Sequence, residues 1–371
     1  MTAITKTDLK LPKIGEPQIE LLERLCNANA VSGDEGEVRK IVLEQVRAVL
    51  ENRPGEVKTD ALGNVLVTLP GQGEEQDRLR VMLDAHMDEV GFMITNDEEK
   101  GIYRFDTVGG IDLRYLVGKP VLIGHDHIPG VIGAKPIHLT KPEETRNALT
   151  LDTLRVDVGP GGDKVKVGDR ATFATRFKRV GAGFRAKALD DRIGVATLIE
   201  LIKNTPPNID LLAAFTVQEE VGLRGARVAA YTLNPDLAIA IDSTPAYDLP
   251  AFDAEPDEPE TSYNTRLGAG PALYIADSAT LSDPRLIRHF METAEAYGIE
   301  YQVRQPGGGG TNAGSIQLQR GGIPSMSISV PGRYHHSPMA ISRLSDWQNT
   351  LSLVYAALSN LSAGILSVDR A

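Results

Sequence analysis

Cysteine is nearly missing from this chain: Cys26 stands alone among 371 residues. One thiol cannot build a disulfide framework, and its scarcity points to a reducing compartment, the cytoplasm. Cys26 lies in an apolar helical run, IELLERLCNANAV, which also makes it a poor nucleophile. Positive charge is in deficit, with 39 Lys and Arg against 50 Asp and Glu and a formal net charge of −11. That balance argues against nucleic acid or an anionic membrane surface as a partner. No apolar run approaches the roughly 18 residues of a membrane span, and MTAITKTDLKLPKIGEP lacks the apolar core of a signal peptide. No Gly-X-Ser-X-Gly elbow occurs, and the glycine run in GGGGTNAG is not followed by the Lys-Ser/Thr of a phosphate loop. What is present is ordinary for a globular protein, 42% hydrophobic and 24% charged, and long enough for two domains.

The texture changes twice along the chain. Residues 16–52 read as two helices, the second introduced by Ser32-Gly33-Asp34-Glu35 as a cap with early acids. GNVLVTLPG and LRVMLDAH then read as strands. From Gly91 to Phe177 short β-rich runs are broken by Gly, Pro and Asp, the pattern of a small β-barrel set into a larger α/β unit. This divides the chain into a first catalytic part, 1–90, the insert, 91–177, and a second catalytic part, 178–371. Beyond Leu189, apolar strands (LLAAFTV, LAIAI, PALYIA, SMSISV) alternate with helices. That order predicts an α/β fold with a mostly parallel sheet flanked by helices. The acidic, Pro-rich stretch 248–268 reads as an exposed excursion.

Several apolar strands end on a residue able to bind a metal. AHMDE delivers His86, TVQEE delivers Glu219 and Glu220, IAIDS delivers Asp242, and RYHHSP delivers His336; Asp190 in ALDDRIG opens a helix. In open α/β sheets ligands gather beyond the carboxyl ends of the strands, so these segments are expected to meet in one crevice. A mixed His and carboxylate set suits Zn²⁺, Co²⁺ or Mn²⁺ better than Mg²⁺ or Ca²⁺. Two ions need more donors than five monodentate groups supply, so one carboxylate is expected to bridge. In a strand residues two apart share a side, so Asp88 can accept from the His86 ring. Each motif also has a plainer reading. Asp190-Asp191 can be a helix cap, Asp242 a turn former before Pro245, and either His335 or His336 can ligate. His125, His127, His138 and His289 read as structural or surface residues.

Taken together, AHMDEVGF, ALDDRIG, QEEVGLRGA, the Asp242 strand end, GGGTNAG and RYHHSP resemble the tetrahedral (TET) aminopeptidases, two-metal relatives of glutamyl, leucyl and lysyl aminopeptidases. The resemblance runs in order along nearly the whole chain. It implies a zinc-exopeptidase-like fold whose insert is a dimerisation domain, and two divalent ions per subunit, zinc with cobalt or manganese as alternatives. Asp190 would bridge the ions, with His86 and Asp242 completing one site and Glu220 and His336 the other. Glu219 would be the general base for a water held between the ions, and Asp88 would orient His86. Short peptides are the implied substrates, and a homo-oligomer, dimers assembling into a dodecamer, the implied form. The family's Gly-Thr-Asp-Ala reads Thr311-Asn312-Ala313 here, and its apolar residue before the ligand histidine is His335. Other readings of the same residues are a deacylase or dipeptidase-type amidohydrolase, an endoglucanase, or a non-catalytic scaffold.

Overall fold

The computed structural model describes residue 6 and residues 8–72, 78–141, 148–160, 164–249, 264–304 and 308–370. The excursion expected at 248–268 therefore lies mostly outside the described residues. The chain opens with α1 (Glu16–Asn27) and α2 (Gly36–Leu50), then β1 (Glu56–Thr59), β2 (Val65–Leu69) and β3 (Leu79–His86). The next six strands are β4 (Gly91–Asp97), β5 (Ile102–Val108), β6 (Pro120–Ile123), β7 (Ile128–Ala134), β8 (Leu154–Asp157) and β9 (Arg170–Phe173). They close into a barrel in the order β4-β5-β8-β7-β6-β9. Its interior is filled by Phe92, packed edge-on against both Phe105 and Phe173.

The chain then returns through the hairpin β10 (Lys178–Val180) and β11 (Gly183–Ala186), followed by α3 (Leu189–Lys203) and β12 (Ile209–Thr216). Next come α4 (Arg224–Leu233), β13 (Leu237–Pro245), β14 (Ala272–Tyr274), α5 (Pro284–Tyr297) and β15 (Gln302–Arg304). α6 (Asn312–Ile316), β16 (Ser325–Arg333), β17 (Ala340–Arg343) and α7 (Leu344–Ser359) complete the series.

The large sheet runs β1-β2-β12-β3-β13-β16-β17-β11-β10, with β14 added to β16 and β15 to β14. It is mixed, which corrects the expectation of a mostly parallel sheet. Parallel pairing is confined to the run β12-β3-β13-β16 and to β14-β15. The strands on either side join antiparallel. Connection length accounts for part of this: β1-β2, β10-β11 and β16-β17 are linked by stretches too short for the crossover that parallel strands require.

The alternation of side chains divides the central strands cleanly. Val81, Leu83 and Ala85 of β3, Leu211, Ala213 and Phe215 of β12, and Ile239 and Ile241 of β13 enter the main core under α1, α2, α3, α5 and α7. Met82, Leu212, Ala214 and Ala238 face the other way, onto the alanines of α4 and onto Ile316 of α6. This second face also carries Asp84, His86 and Thr216 by period two. It is roofed only by short helices with small residues, which leaves room for a cavity. Helix α3 is buried almost all round, as a helix apolar on every side must be.

Where the sheet meets the barrel, Glu89 is buried between Lys187 Nζ at 2.7 Å and Arg192 Nη2 at 3.1 Å. It also accepts from the Ala30 N–H at 3.0 Å and from the Thr172 hydroxyl of β9 at 2.9 Å. Arg192 donates in turn to the carbonyls of Met87, of Asp88 at 3.1 Å and of Leu25 at 3.2 Å. Removing one partner of a buried ionic group leaves the others uncompensated, at a cost of about 3–5 kcal/mol. Glu89→Gln is therefore expected to destabilise the fold by that order in urea titration. A loss below about 1 kcal/mol would show that the triad is not holding this junction.

Candidate metal centre

Three parallel strands end side by side at the cavity. His86 pairs with Thr216 across β3 and β12, and Asp84 pairs with Ala240 across β3 and β13. Asp242, two residues past Ala240, thus stands level with His86. The His86 Nε2 lies 3.2 Å from Asp190 Oδ1 and 3.7 Å from Asp242 Oδ1. The other oxygen of Asp190, Oδ2, lies 3.3 Å from His336 Nε2, and the same nitrogen lies 3.3 Å from Glu220 Oε2. Each oxygen of one carboxylate therefore meets a different histidine. His86, Asp190 and Glu220 offer donor atoms within 4.8 Å of one another, as do His86, Asp191 and Asp242.

The backbone reaches these positions through unusual conformations. Ala188, Gln218, Leu223, Tyr334 and His336 all have positive φ, a region that costs non-glycine residues about 1–3 kcal/mol each. Those left-handed turns flank Asp190, the Glu219-Glu220 pair and His336. Asp190 does not cap α3; Asp191 does that work, its Oδ1 accepting from the Gly194 N–H at 3.0 Å. Its second oxygen is buried with no hydrogen-bond partner among the described residues.

Asp88 has a wider part than orienting one ring. The His86 Nδ1 lies nearer the Asp88 carbonyl, at 3.2 Å, than its carboxylate, at 3.5 Å. That carboxylate accepts from the N–H groups of Glu219 at 3.0 Å and Glu220 at 3.2 Å, and from the Ser32 hydroxyl at 2.6 Å. Asp88 thus fixes the turn that presents both glutamates. Ser32, expected to begin α2, spends its hydroxyl here, and the residue preceding α2 is Glu35 with no side-chain cap.

His335 and His336 both approach Asp190 Oδ2, His335 through Nδ1 at 3.5 Å and with Ser243 Oγ at 3.0 Å. Only His336 also reaches Glu220. The Nε2 of His335 is buried and unpartnered among the described residues. Asn312 donates to the buried Asp84 at 2.6 Å and to Thr216 at 3.0 Å, so a carboxylate does stand at this spot, contributed by β3. Asp84 was missed as a member of the cluster, whereas the doubled Asp190-Asp191 and His335-His336 were noted with the choice between neighbours left open; both members of each pair stand at the centre. The other histidines stay apart. His127 meets Glu37 at 2.5 Å, and His289 is buried against the Ala357 carbonyl at 2.8 Å. Cys26 is also remote, its thiol pushed up to about 12 by burial.

So many carboxyls in one dry place hold protons unless a cation takes their place. Burial, with Asp242 and Glu220 nearby, raises Glu219 well above the usual range. Burial also raises Glu220 to about 8 and lifts Asp191 and Asp242. Asp190 goes the other way: burial opposes its charge, but the three histidines hold it well below the usual range. Burial works against the charge of His86 and His336 too, and the surrounding carboxylates outweigh it, raising His336 to about 9. Unpartnered buried donors, nitrogen and oxygen together, and a carboxylate split between two histidines fit divalent ions of the Zn²⁺, Co²⁺ or Mn²⁺ kind.

The M42 glutamyl aminopeptidase family model matches residues 63–353. The chain belongs to that family. It is a peptide hydrolase with aminopeptidase relatives along its length. The glutamyl aminopeptidase of Lactococcus lactis is 30% identical, over 92% of this chain and 95% of its own. The lysyl aminopeptidase of Pyrococcus furiosus is also 30% identical, over 92% of this chain and 97% of its own. Among solved structures, the TET1 peptidase of Pyrococcus horikoshii, which can assemble into a tetrahedron or a large octahedral shell, superposes with a TM-score of 0.77. It is 33% identical over 91% of this chain and 98% of its own. No helix among the described residues is long and apolar enough to cross a membrane.

The centre dictates how stability follows pH once metal is stripped. A carboxyl raised by the fold, such as Glu220 from 4.5 to about 8, penalises folding as pH climbs through that interval. A raised histidine, such as His336, gives stability that is full below 6.5 and is lost as pH rises through about 9. Both terms act in one direction. The melting temperature of chelated protein is expected to fall from pH 5 to pH 9, and the gain on adding back Zn²⁺ to grow. A Zn²⁺ gain independent of pH would contradict a cation site built from these groups.

Proposed function

We propose that the chain is a two-metal aminopeptidase that removes N-terminal residues from short peptides. The reading rests on one observation above the others: the Asp190 carboxylate set between His86 and His336, with Glu219 buried near His86 and Asp242 on the same cavity. Asp190 would be shared by the two ions, with His86 and Asp242 holding one and Glu220 and His336 the other. Bound there, the two ions supply Lewis acidity, polarising the scissile carbonyl and lowering the pKa of water.

Glu219 is the general base. Burial favours its protonated form, and cations held by the neighbouring ligands would favour the carboxylate. It then takes a proton from the attacking water onto its carboxylate and returns it to the amine as the C–N bond breaks. Asp88 holds the N–H groups of both glutamates and backs the His86 ring, so that base and ligand keep their places. His335, held by Ser243, supports Asp190 from behind.

We extend three further points to this chain. The TET1 relative can assemble into a tetrahedron or a large octahedral shell, and homo-oligomeric assembly, dimers building a dodecamer, is proposed here. The barrel segment 91–177 serves as the dimerisation domain between the catalytic parts 1–90 and 178–371. The single buried thiol suits the reducing cytoplasm.

Glu219→Gln tests the central assignment. It keeps the shape of the turn and removes the proton acceptor, so two ions per chain should remain by elemental analysis while kcat falls about 10²–10⁴-fold. Turnover near wild type would reject Glu219 as the base. Capping the α-amine of the substrate should abolish hydrolysis; cleavage of the capped peptide would favour the deacylase reading. Chelation should silence the enzyme, and a sugar hydrolase independent of metal would survive it.

A further inference from the structure

Asp84 stands one step back from the centre along β3. It precedes His86 by two residues and so points to the same side of the sheet. It pairs with Ala214 of β12 and Ala240 of β13, which makes Thr216 and Asp242 the next residues of those strands on that face. Asp84 is 1% exposed and Asn312, the first residue of α6, 2%. Asp84 Oδ1 accepts from Asn312 Nδ2 at 2.6 Å, and the same nitrogen reaches Thr216 Oγ1 at 3.0 Å. The other oxygens, Asp84 Oδ2 and Asn312 Oδ1, are buried with no hydrogen-bond partner among the described residues. A neutral amide offsets the burial of a carboxylate only in part. The positive charge that would offset the rest is that of ions held by His86 and Asp242, one strand step away.

We propose that Asp84 is a positioning residue of the metal centre, a buried carboxylate behind His86 and Asp242 that strengthens cation binding at their half, and that it forms with Asn312 one unit in which acid and amide can change places. This rests on the two-metal reading above and goes beyond it, since Asp84 is given contact with neither ion nor substrate. The acid of the Gly-Thr-Asp-Ala pattern is absent from residue 312 and present across one hydrogen bond, at residue 84. Asp and Asn share a shape. Exchanging them keeps the bond, with donor and acceptor reversed, and keeps the charge beside the same strand ends. Changing one alone does not. Asp84→Asn leaves two amides and no charge, and Asn312→Asp sets two carboxylates against each other.

The test uses the full chain stripped of metal and titrated with Zn²⁺ by calorimetry, at one pH, with the melting temperature of the stripped protein read alongside. Wild type should take up two ions. In Asp84→Asn one of the two should bind about 10- to 100-fold more weakly, the range for groups that back a ligand shell. Asn312→Asp should lower the melting temperature of the stripped protein and enlarge its gain on adding Zn²⁺, because the added charge costs more without the ions than with them. The double exchange, Asp84→Asn with Asn312→Asp, should return both readings toward wild type. A residue that only packs would move stability and affinity together, so an Asn312→Asp variant that loses both overturns the proposal. So does an Asp84→Asn variant that binds both ions as wild type does, or a double exchange that binds them no better than Asp84→Asn. Failure of Asp84→Asn or of the double exchange to fold counts against it too, since the one removes a buried charge and the other keeps both bond and charge. Wild type that took up no metal would sink the two-metal reading and this assignment with it. Two ions in wild type beside an indifferent Asp84→Asn would sink the assignment alone.

Discussion

The buried carboxylate of Glu89 joins the carboxyl end of β3 to the start of α3 and to β9 of the barrel. Lys187 and Arg192 neutralise it, and Arg192 carries the link to the carbonyls of Met87 and Asp88. One ionic group thus fixes the segment that bears His86 and Asp88 against α3, the helix that carries Asp190. The separation of His86 from Asp190, on which the centre depends, is set by this junction, with no direct bond from Glu89 to either residue. A buried ion pair is rarely the most stabilising choice. Its use here is consistent with a need for register between elements far apart in sequence.

The centre itself is a concentration of acid that the fold does not neutralise from within. Asp190 is satisfied by histidines, while Glu219, Glu220, Asp191 and Asp242 are driven toward their protonated forms by burial. Such a cluster is costly alone and becomes favourable when divalent cations enter. The left-handed turns at Ala188, Gln218 and His336 add to the cost. Both costs fall on residues at strand ends, where the face covered by α4 and α6 leaves space. The opposite face, under five helices, carries the apolar packing that offsets them.

Much of this was legible from the chain. α4, β2 and β3 lie where their apolar patterns put them, because a period of two or 3.6 reflects burial directly. The barrel was legible from its short, Gly- and Pro-broken runs. Less legible were the short strands β1, β10, β11, β15 and β17, whose few residues carry no period, and the antiparallel edges they build. At the centre, residues that end strong strands were readable one by one. Asp84 was not, since an acid inside an apolar strand looks like a core residue, and the pairs Asp190-Asp191 and His335-His336 were readable only as pairs, because neighbours in a chain carry the same signal. Ser32 was read as the start of a helix because a hydroxyl before an amphipathic run usually is.

By itself the sequence determined the donor types, their place at strand ends and the order of elements, because those depend on local pattern and chemistry. Only the tertiary structure decided which oxygen of Asp190 faces which histidine and that Asp88 clamps the glutamate turn. These are distances of a few ångströms between residues as much as 146 positions apart in the chain, as Asp190 and His336 are, and nothing in a linear pattern encodes them.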